Sequence, residues 1–186
     1  MVLANVFAPM GFRSDSQRTL MKTVTRPIIQ PRVPIGAAAS ADIAIGDAYG
    51  IDANGDAYHA GADAVVRGIC MGFELQAISG VMNSQGPLSI DYASSTTAVS
   101  MIGCEDPSVE FDVWSDNVVG AQQANVGGTF NLGDQAPDSL FGQSRQYLNI
   151  NGGPGAQFKM IKITQETADN SVGAACRVLV QLAQAI

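Results

Sequence analysis

The residues closest to a known chemical motif lie in the stretch "IDANGDAY", residues 51–58. Asp52, Asn54 and Asp56 match the alternating first, third and fifth positions of a calcium-binding loop. The sixth position of that loop must be glycine for its sharp turn, and here it is Ala57. The stretch also holds an Asn-Gly pair between two alternating runs, which is a strong β-hairpin signal. We therefore predict a hairpin with a type I′ Asn-Gly turn and no metal site.

Residues that could perform acid–base or nucleophilic catalysis are few. The only histidine, His59, follows the predicted hairpin and has no adjacent nucleophile motif such as G-x-S-x-G, so we expect it to be solvent-exposed or on an edge strand. Four carboxylates cluster in "CEDPSVEFDV": Glu105, Asp106, Glu110 and Asp112. A pair of them could serve a glycosidase, but a solvated strand face also accounts for them. The sequence predicts no catalytic residue and no cofactor.

The composition limits the partners that this chain can bind. Ten basic residues are scattered among seventeen acidic ones, and the net charge is −7. Because a nucleic-acid surface needs clustered Lys and Arg, we expect no nucleic-acid partner. No run of about 18 apolar residues occurs, so we expect no membrane span. Charged residues make up only 15% of the chain, against roughly 25% in typical domains, which favours a surface partly covered by other protein.

The three cysteines are predicted to be free and buried. Cys70, Cys104 and Cys176 lie far apart, and each sits in an apolar run. An odd number at such spacing gives neither a disulfide framework nor a zinc pattern. Reduced thiols agree with synthesis in a cytosol.

Short strand-like runs separated by turns dominate the chain after its first 40 or so residues. The run "SVEFDVWS" alternates with a period of two, so that Val109, Phe111 and Val113 face one side and the acidic residues the other. Trp114, at its end, is either a core residue or an interface anchor. A helical turn is predicted in "SDNVVGAQQANVGG", residues 115–128. Several short strands without helical crossovers predict an all-β fold, an antiparallel β-barrel or β-sandwich with an extended N-terminal arm.

Residues 1–38 form this predicted N-terminal arm, and residues 39–186 a single β domain. Half of the basic residues lie in the arm: Arg13, Arg18, Lys22, Arg26 and Arg32. Pro27, Pro31 and Pro34 favour an extended path and exclude a central strand. The candidate contacts with a neighbouring chain are Phe7, Phe12, Arg13, Arg26, Ile28 and Ile29. The alternative is an arm that folds back along its own domain.

Burial of the arm's apolar side chains does not cover the entropy of ordering it, about 1–2 kcal/mol per residue. Backbone pairing with a second chain would supply the difference. We therefore expect a homo-oligomer, with a trimer favoured.

Several segments, taken together, resemble the head decoration (cement) proteins of tailed bacteriophages. These segments are "ANVFAPMGFR", "GDAYGIDANGDAYHAGA", "VRGICMGFE", "EDPSVEFDVWSDN", "VVGAQQANVGGTFNL" and "CRVLVQLA". The chain departs from the resemblance at "GFRSDSQ", where such proteins continue with Pro-Val.

The resemblance implies an all-β virion protein without enzymatic activity, made in the host cytoplasm. It would bind the major capsid protein on the outer surface of the head and stabilise contacts between capsid subunits. Two other functions remain open at this point. One is another virion component, in the tail or neck, and the other is a carbohydrate-binding β-sandwich module.

Overall fold

The computed structural model describes eight segments of the chain: residues 11–14, 32–35, 42–75, 92–93, 99–116, 121–138, 143–164 and 176–183. The strands in these segments are β1 Arg13–Ser14, β2 Arg32–Pro34, β3 Ile43–Ala44, β4 Ala48–Ile51, β5 Ala57–His59, β6 Gly68–Leu75, β7 Tyr92–Ala93, β8 Val99–Cys104, β9 Phe111–Trp114, β10 Thr129–Gly133, β11 Tyr147–Pro154, β12 Phe158–Ile163 and β13 Arg177–Leu182. A single 3-10 turn, η1 Gln123–Asn125, is the only helical element in this part of the chain. The all-β prediction is confirmed.

The strands form two antiparallel sheets and a separate two-stranded pair, β3–β7. The six-stranded sheet has the order β1-β9-β13-β12-β10-β11, and the five-stranded sheet the order β2-β8-β6-β4-β5. Each sheet curls until strands from opposite sides meet at one isolated parallel bridge, Ser115 with Leu148 in the first and Ile35 with Ala57 in the second. One bridge is not a ladder, so neither sheet is a closed barrel. The sandwich alternative of the prediction fits this arrangement.

The main core lies where the two sheets face each other. Phe111, Leu148 and Phe158 of the six-stranded sheet are buried there with Ala48 and Ile69 of the five-stranded sheet. Each large apolar side chain that is fully buried contributes about 1.5–3 kcal/mol. This shared core fixes the two sheets against each other.

The five-stranded sheet has a second core on its other face. Tyr49, Cys70, Phe73 and Met101 lie in this smaller cluster. Strands β4 and β6 are therefore buried on both faces, which is why the sequence there lacks a polar–apolar alternation.

Two described pieces of the predicted arm pair with the body as edge strands. In β1, Arg13 lies opposite Asp112 of β9, and in β2, Pro34 lies opposite Ser100 of β8. Proline has no N–H to donate to a ladder, so Pro34 is compatible only with such an edge position. The remainder of the arm, with Phe7, Arg26, Ile28 and Ile29, lies outside the described residues.

Phe12 was predicted from the sequence to contact a neighbouring chain. In the structure it is buried in the core of its own chain instead. Its ring is 2% exposed and stacks on Phe158, with the ring centroids 4.4 Å apart. Gly11 precedes it with a φ of 69°, and the Phe12 N–H donates to the Gly46 carbonyl at 2.8 Å. A Cβ at position 11 would lie 2.5 Å from that carbonyl oxygen, so only glycine allows the approach.

The hairpin predicted at Asn54-Gly55 is confirmed, but its turn is not type I′. Strands β4 and β5 pair with Ile51 opposite Ala57. Gly55 N–H donates to the Asp52 carbonyl at 3.1 Å, and Gly55 has a φ of 88°. This pattern is a three-residue loop closed by a left-handed glycine. The Asp52 carboxylate stabilises the wider loop, because it accepts hydrogen bonds from the backbone N–H groups of Asn54 and Asp56.

In the described part of the stretch predicted to be helical, residues 115–116 and 121–128, the helical element is η1. Gln122 precedes this turn, and its N–H donates to the Asn125 side-chain oxygen at 2.7 Å. Asp116 accepts hydrogen bonds from the N–H groups of Ile150 and Asn151 at 2.7 and 2.8 Å, so it satisfies the backbone of β11.

Candidate functional site

The turn between β3 and β4 positions a buried carboxylate. Asp47 is 0% exposed, and its Oδ2 accepts a hydrogen bond of 2.8 Å from the Ala44 N–H. The Asp47 N–H donates back to the Ala44 carbonyl at 3.0 Å. The other carboxylate oxygen, Oδ1, is buried without a hydrogen-bond partner among the described residues. A buried carboxylate with an unsatisfied oxygen needs a nearby positive charge.

His59 supplies that charge from β5. Its Nδ1 lies 3.2 Å from Asp47 Oδ2, and its Nε2 lies 2.7 Å from Oδ1 of Asp134, which directly follows β10. The histidine is only 9% exposed. Of the two alternatives predicted for His59, the edge strand is the one found, and the ring is not exposed because Asp134 and Gln146, on the side of the six-stranded sheet, cover it.

Gln146, just before β11, completes the site, and its amide is oriented by the backbone. The Ala48 N–H donates to its Oε1 at 2.6 Å, and its Nε2 donates to the Ala60 carbonyl at 2.8 Å. The same Nε2 lies 3.1 Å from His59 Nε2. Asp47, His59, Asp134 and Gln146 are called the histidine cluster below.

The two carboxylates favour the doubly protonated ring. Burial alone would lower the pKa of His59, but the hydrogen bonds and negative charges of Asp47, and then of Asp134, outweigh it and raise the pKa above its ordinary value. A ring with a carboxylate oxygen at each nitrogen can satisfy both only as an imidazolium, in which both nitrogens are donors.

The histidine cluster differs from a catalytic triad. In a triad one ring nitrogen faces a carboxylate and the other faces the hydroxyl or thiol of the nucleophile. Here both nitrogens of His59 face carboxylates, so neither is directed at a nucleophile in the described segments. The cluster can hold a proton and connect chain segments, and in the part of the chain that is described no group of three or more His, Cys, Asp or Glu side chains could hold a metal ion.

Three of the four clustered carboxylates, Glu105, Asp106 and Asp112, have partners that the structure defines. Glu105 accepts a hydrogen bond from the Tyr49 hydroxyl at 3.0 Å and faces Arg67 Nε at 3.2 Å. Burial, followed by the charge of Glu105, raises the pKa of Tyr49. Asp106 accepts from the Ser108 N–H at 2.8 Å and so caps the turn before β9.

Asp112 forms an ion pair with Arg177 of β13 and is only 9% exposed. The sequence predicted a solvated strand face for this carboxylate. At Asp112 that face is covered. The alternation in β9 itself is confirmed, since Val109, Phe111 and Val113 are buried in the main core.

Of the candidate interface residues, Arg13 is the one that is described and exposed. It lines a shallow cleft of about 130 Å³ together with Gly11, Trp114 and Arg177. Trp114 is half-buried there and does not belong to either core cluster.

Sequence patterns missed the histidine cluster because Asp134 and Gln146 lie 75 and 87 residues from His59 along the chain. The sequence did predict the hairpin that positions His59, and the register of that hairpin sets His59 opposite Tyr49.

No protein-family model matches the chain, and comparisons with curated proteins and with solved structures found no significant match. Among the described residues, no helix is long and apolar enough to cross a membrane.

Proposed function

We propose that this chain is a capsid decoration protein, which binds the outer surface of a phage head and stabilises contacts between major capsid protein subunits without enzymatic activity. The support from the sequence is the resemblance of six segments to such proteins. The support from the fold is an all-β body in which the only histidine and the clustered carboxylates are engaged in internal hydrogen bonds and ion pairs.

The observation that carries the proposal is the separation of charge along the chain. Residues 1–38 contain five basic residues and one acidic residue, a formal charge of +4, whereas residues 39–186 contain five basic and sixteen acidic residues, −11. An acidic body is repelled by packaged DNA, which favours the outside of a head. A basic segment on an acidic body complements the acidic body of a neighbouring copy, or an acidic capsid surface.

The stretch of the basic segment between β1 and β2 is attached to the body at both of its ends. Strand β1 ends at Ser14 on the six-stranded sheet, and β2 begins at Arg32 on the five-stranded sheet. Between them the chain carries Arg18, Lys22 and Arg26, which lie outside the described residues. We assign the contact with neighbouring subunits, and the expected homo-oligomer with a trimer favoured, to this stretch.

Charge substitution tests the proposal better than deletion. Removing residues 2–36 would also remove β1, β2 and the buried side chains of Phe12 and Ile35, so the body itself would be destabilised. The variant to make replaces Arg18, Lys22 and Arg26 with glutamine. The matched control replaces three cations of the body with glutamine: Arg145, Lys159 and Lys162.

Binding to shells of the same phage's major capsid protein that lack this chain is measured by co-sedimentation at several salt concentrations. Loss of three exposed ion pairs at about 0.5–1 kcal/mol each weakens binding by about ten- to hundredfold at low salt. We expect this loss, and a weaker salt dependence, in the arm variant and not in the control. Unchanged binding by the arm variant, or an equal loss in both variants, would contradict the proposal.

A further inference from the structure

We propose that the histidine cluster is a pH-sensitive latch between the two sheets. With the ring doubly protonated, His59 holds Asp134 and the segment that follows β10 against the five-stranded sheet. On loss of the Nε2 proton, His59 accepts a hydrogen bond from Gln146 and releases Asp134. The inference concerns the body alone and does not depend on the proposed function.

The position of His59 Nε2 between two different partners supports the latch. Asp134 Oδ1, at 2.7 Å, is an acceptor and requires an N–H on Nε2. Gln146 Nε2, at 3.1 Å, is a donor, because its amide orientation is fixed by Ala48 and Ala60, and it requires a lone pair on Nε2. One ring nitrogen cannot satisfy both requirements in a single protonation state. The proton on Nε2 therefore selects the partner.

The two carboxylates differ in their freedom to move. Asp47 is fully buried and keeps the Ala44 N–H as a second partner, so it stays with the Nδ1–H of the neutral ring. The Asp134 side chain is 39% exposed and can be hydrated when it leaves. In the neutral ring the Nε2 lone pair would face the Asp134 carboxylate, which is repulsive at 2.7 Å. Release therefore occurs on the side of the six-stranded sheet.

The released segment has defined ends. The connection from β10 to β11 starts at Asp134 and ends at Gln146, the two alternative partners of His59. Within it Asp138 and Gln143 pair through backbone hydrogen bonds of 2.8 and 3.3 Å. Among the described residues of this connection, loss of the Asp134 contact leaves Gln146 as the attachment to the cluster.

The described titratable groups around the ring are few. Asp47 approaches from the β3–β4 turn and Asp134 from the end of β10. Cys70 of β6 interacts electrostatically with Asp47, and burial raises the pKa of its thiol, so it stays neutral. The hydroxyl of Tyr49, the residue opposite His59 in the hairpin, donates to Glu105. His59 is thus the group in this set that changes charge near neutral pH.

The direction of the pH effect follows from the raised pKa of His59. A group whose pKa is higher in the folded protein stabilises fully below its unfolded value, about 6.5. That stabilisation is lost as the pH rises through the folded value. The latch is therefore closed at mildly acidic pH and opens on the alkaline side of neutrality.

The experiment combines two readouts on the whole chain. Because the chain has one histidine, the imidazole NMR signals titrate without ambiguity of assignment. Hydrogen–deuterium exchange of peptides covering residues 134–146 is measured in parallel between about pH 6 and about pH 9, with correction for the intrinsic pH dependence of exchange. The hairpin loop at residues 52–56 serves as an internal reference.

We expect the corrected exchange of residues 134–146 to rise by up to about tenfold per pH unit as the pH approaches the His59 midpoint from below and to level off above that midpoint, with no matching change in residues 52–56. Asp134→Asn keeps the shape of the side chain and removes its charge, so the His59 midpoint should fall and the exchange should lose most of its pH dependence. His59→Gln should abolish the pH dependence, and if that variant does not fold, Asp134→Asn alone decides. The latch would be contradicted if the corrected exchange rate of residues 134–146 did not change over the pH range in which His59 titrates. It would also be contradicted if that rate kept its pH dependence in Asp134→Asn.

Discussion

Replacing Phe12 with alanine tests whether the N-terminal segment belongs to the core of its own chain. The ring is 2% exposed and stacks on Phe158 at 4.4 Å with an interplanar angle of 18°. Removal of a buried phenylalanine side chain costs its transfer free energy and leaves a cavity, together about 3–5 kcal/mol. Loss of the stacked ring pair lies within that range and favours its upper half. Because whole domains are stable by only about 5–15 kcal/mol, the variant should lose a large share of its stability.

Urea unfolding followed by the fluorescence of Trp114 and by circular dichroism measures the loss. Val65→Ala is the matched control, since Val65 is 81% exposed and its truncation should change the free energy of unfolding by less than about 0.5 kcal/mol. A second phenylalanine comparison, Phe158→Ala, should cost a similar amount because the two rings share one cluster.

The oligomeric state of Phe12→Ala distinguishes a core of one chain from a core completed by a neighbour. If Phe12 filled the core of another copy, its truncation would dissociate the proposed homo-oligomer in the absence of urea, as measured by analytical ultracentrifugation. We expect an unchanged oligomeric state, together with the large loss of stability in Phe12→Ala. A loss below about 1 kcal/mol would refute the packing argument for this residue.

Two further predictions concern the cysteines and the hairpin. Burial raises the pKa of the Cys104 thiol to about 11 and also raises the pKa of the Cys70 thiol. We therefore expect all three buried cysteines to react with a thiol reagent only after unfolding in urea. A disulfide-linked pair detected by mass spectrometry without reductant would contradict this. Asp52→Ala removes the acceptor of the Asn54 and Asp56 N–H groups. We expect it to lower the melting temperature slightly, and by the same amount with and without calcium. If calcium stabilised the unsubstituted protein and not the variant, the loop would be a metal site instead.

The sequence predicted features that depend on neighbouring residues. The apolar residues of β9 and the Asn54-Gly55 hairpin signal are local, and the structure has Phe111 and Val113 in the main core and the hairpin at the predicted place. The burial of Cys70, Cys104 and Cys176 followed from their apolar neighbours. These features need no knowledge of which strand pairs with which.

Features that depend on distant pairing could not be read from the chain. Strand β10, "TFNLG", ends at a glycine, and its place between β11 and β12 depends on pairing with both of them. The edge positions of β1 and β2 are set by contacts with β9 and β8, at sequence separations of more than 60 residues. The histidine cluster joins four segments in the same way, so composition around His59 gave no sign of its partners.

The place of β13 in the six-stranded sheet has a consequence for the order of folding. This strand comes after all the other described strands in the chain, yet it lies between β9 and β12 and pairs with both. Until β13 has been synthesised, β9 and β12 each lack the partner that lies between them in the finished sheet, and the β1–β9 pair is not joined to β10–β12 through a strand ladder. Closing such long loops is costly and slow. During synthesis, the half-formed sheet therefore exposes two unpaired strand edges, which are the sites where nascent chains would associate with one another before the sheet is complete.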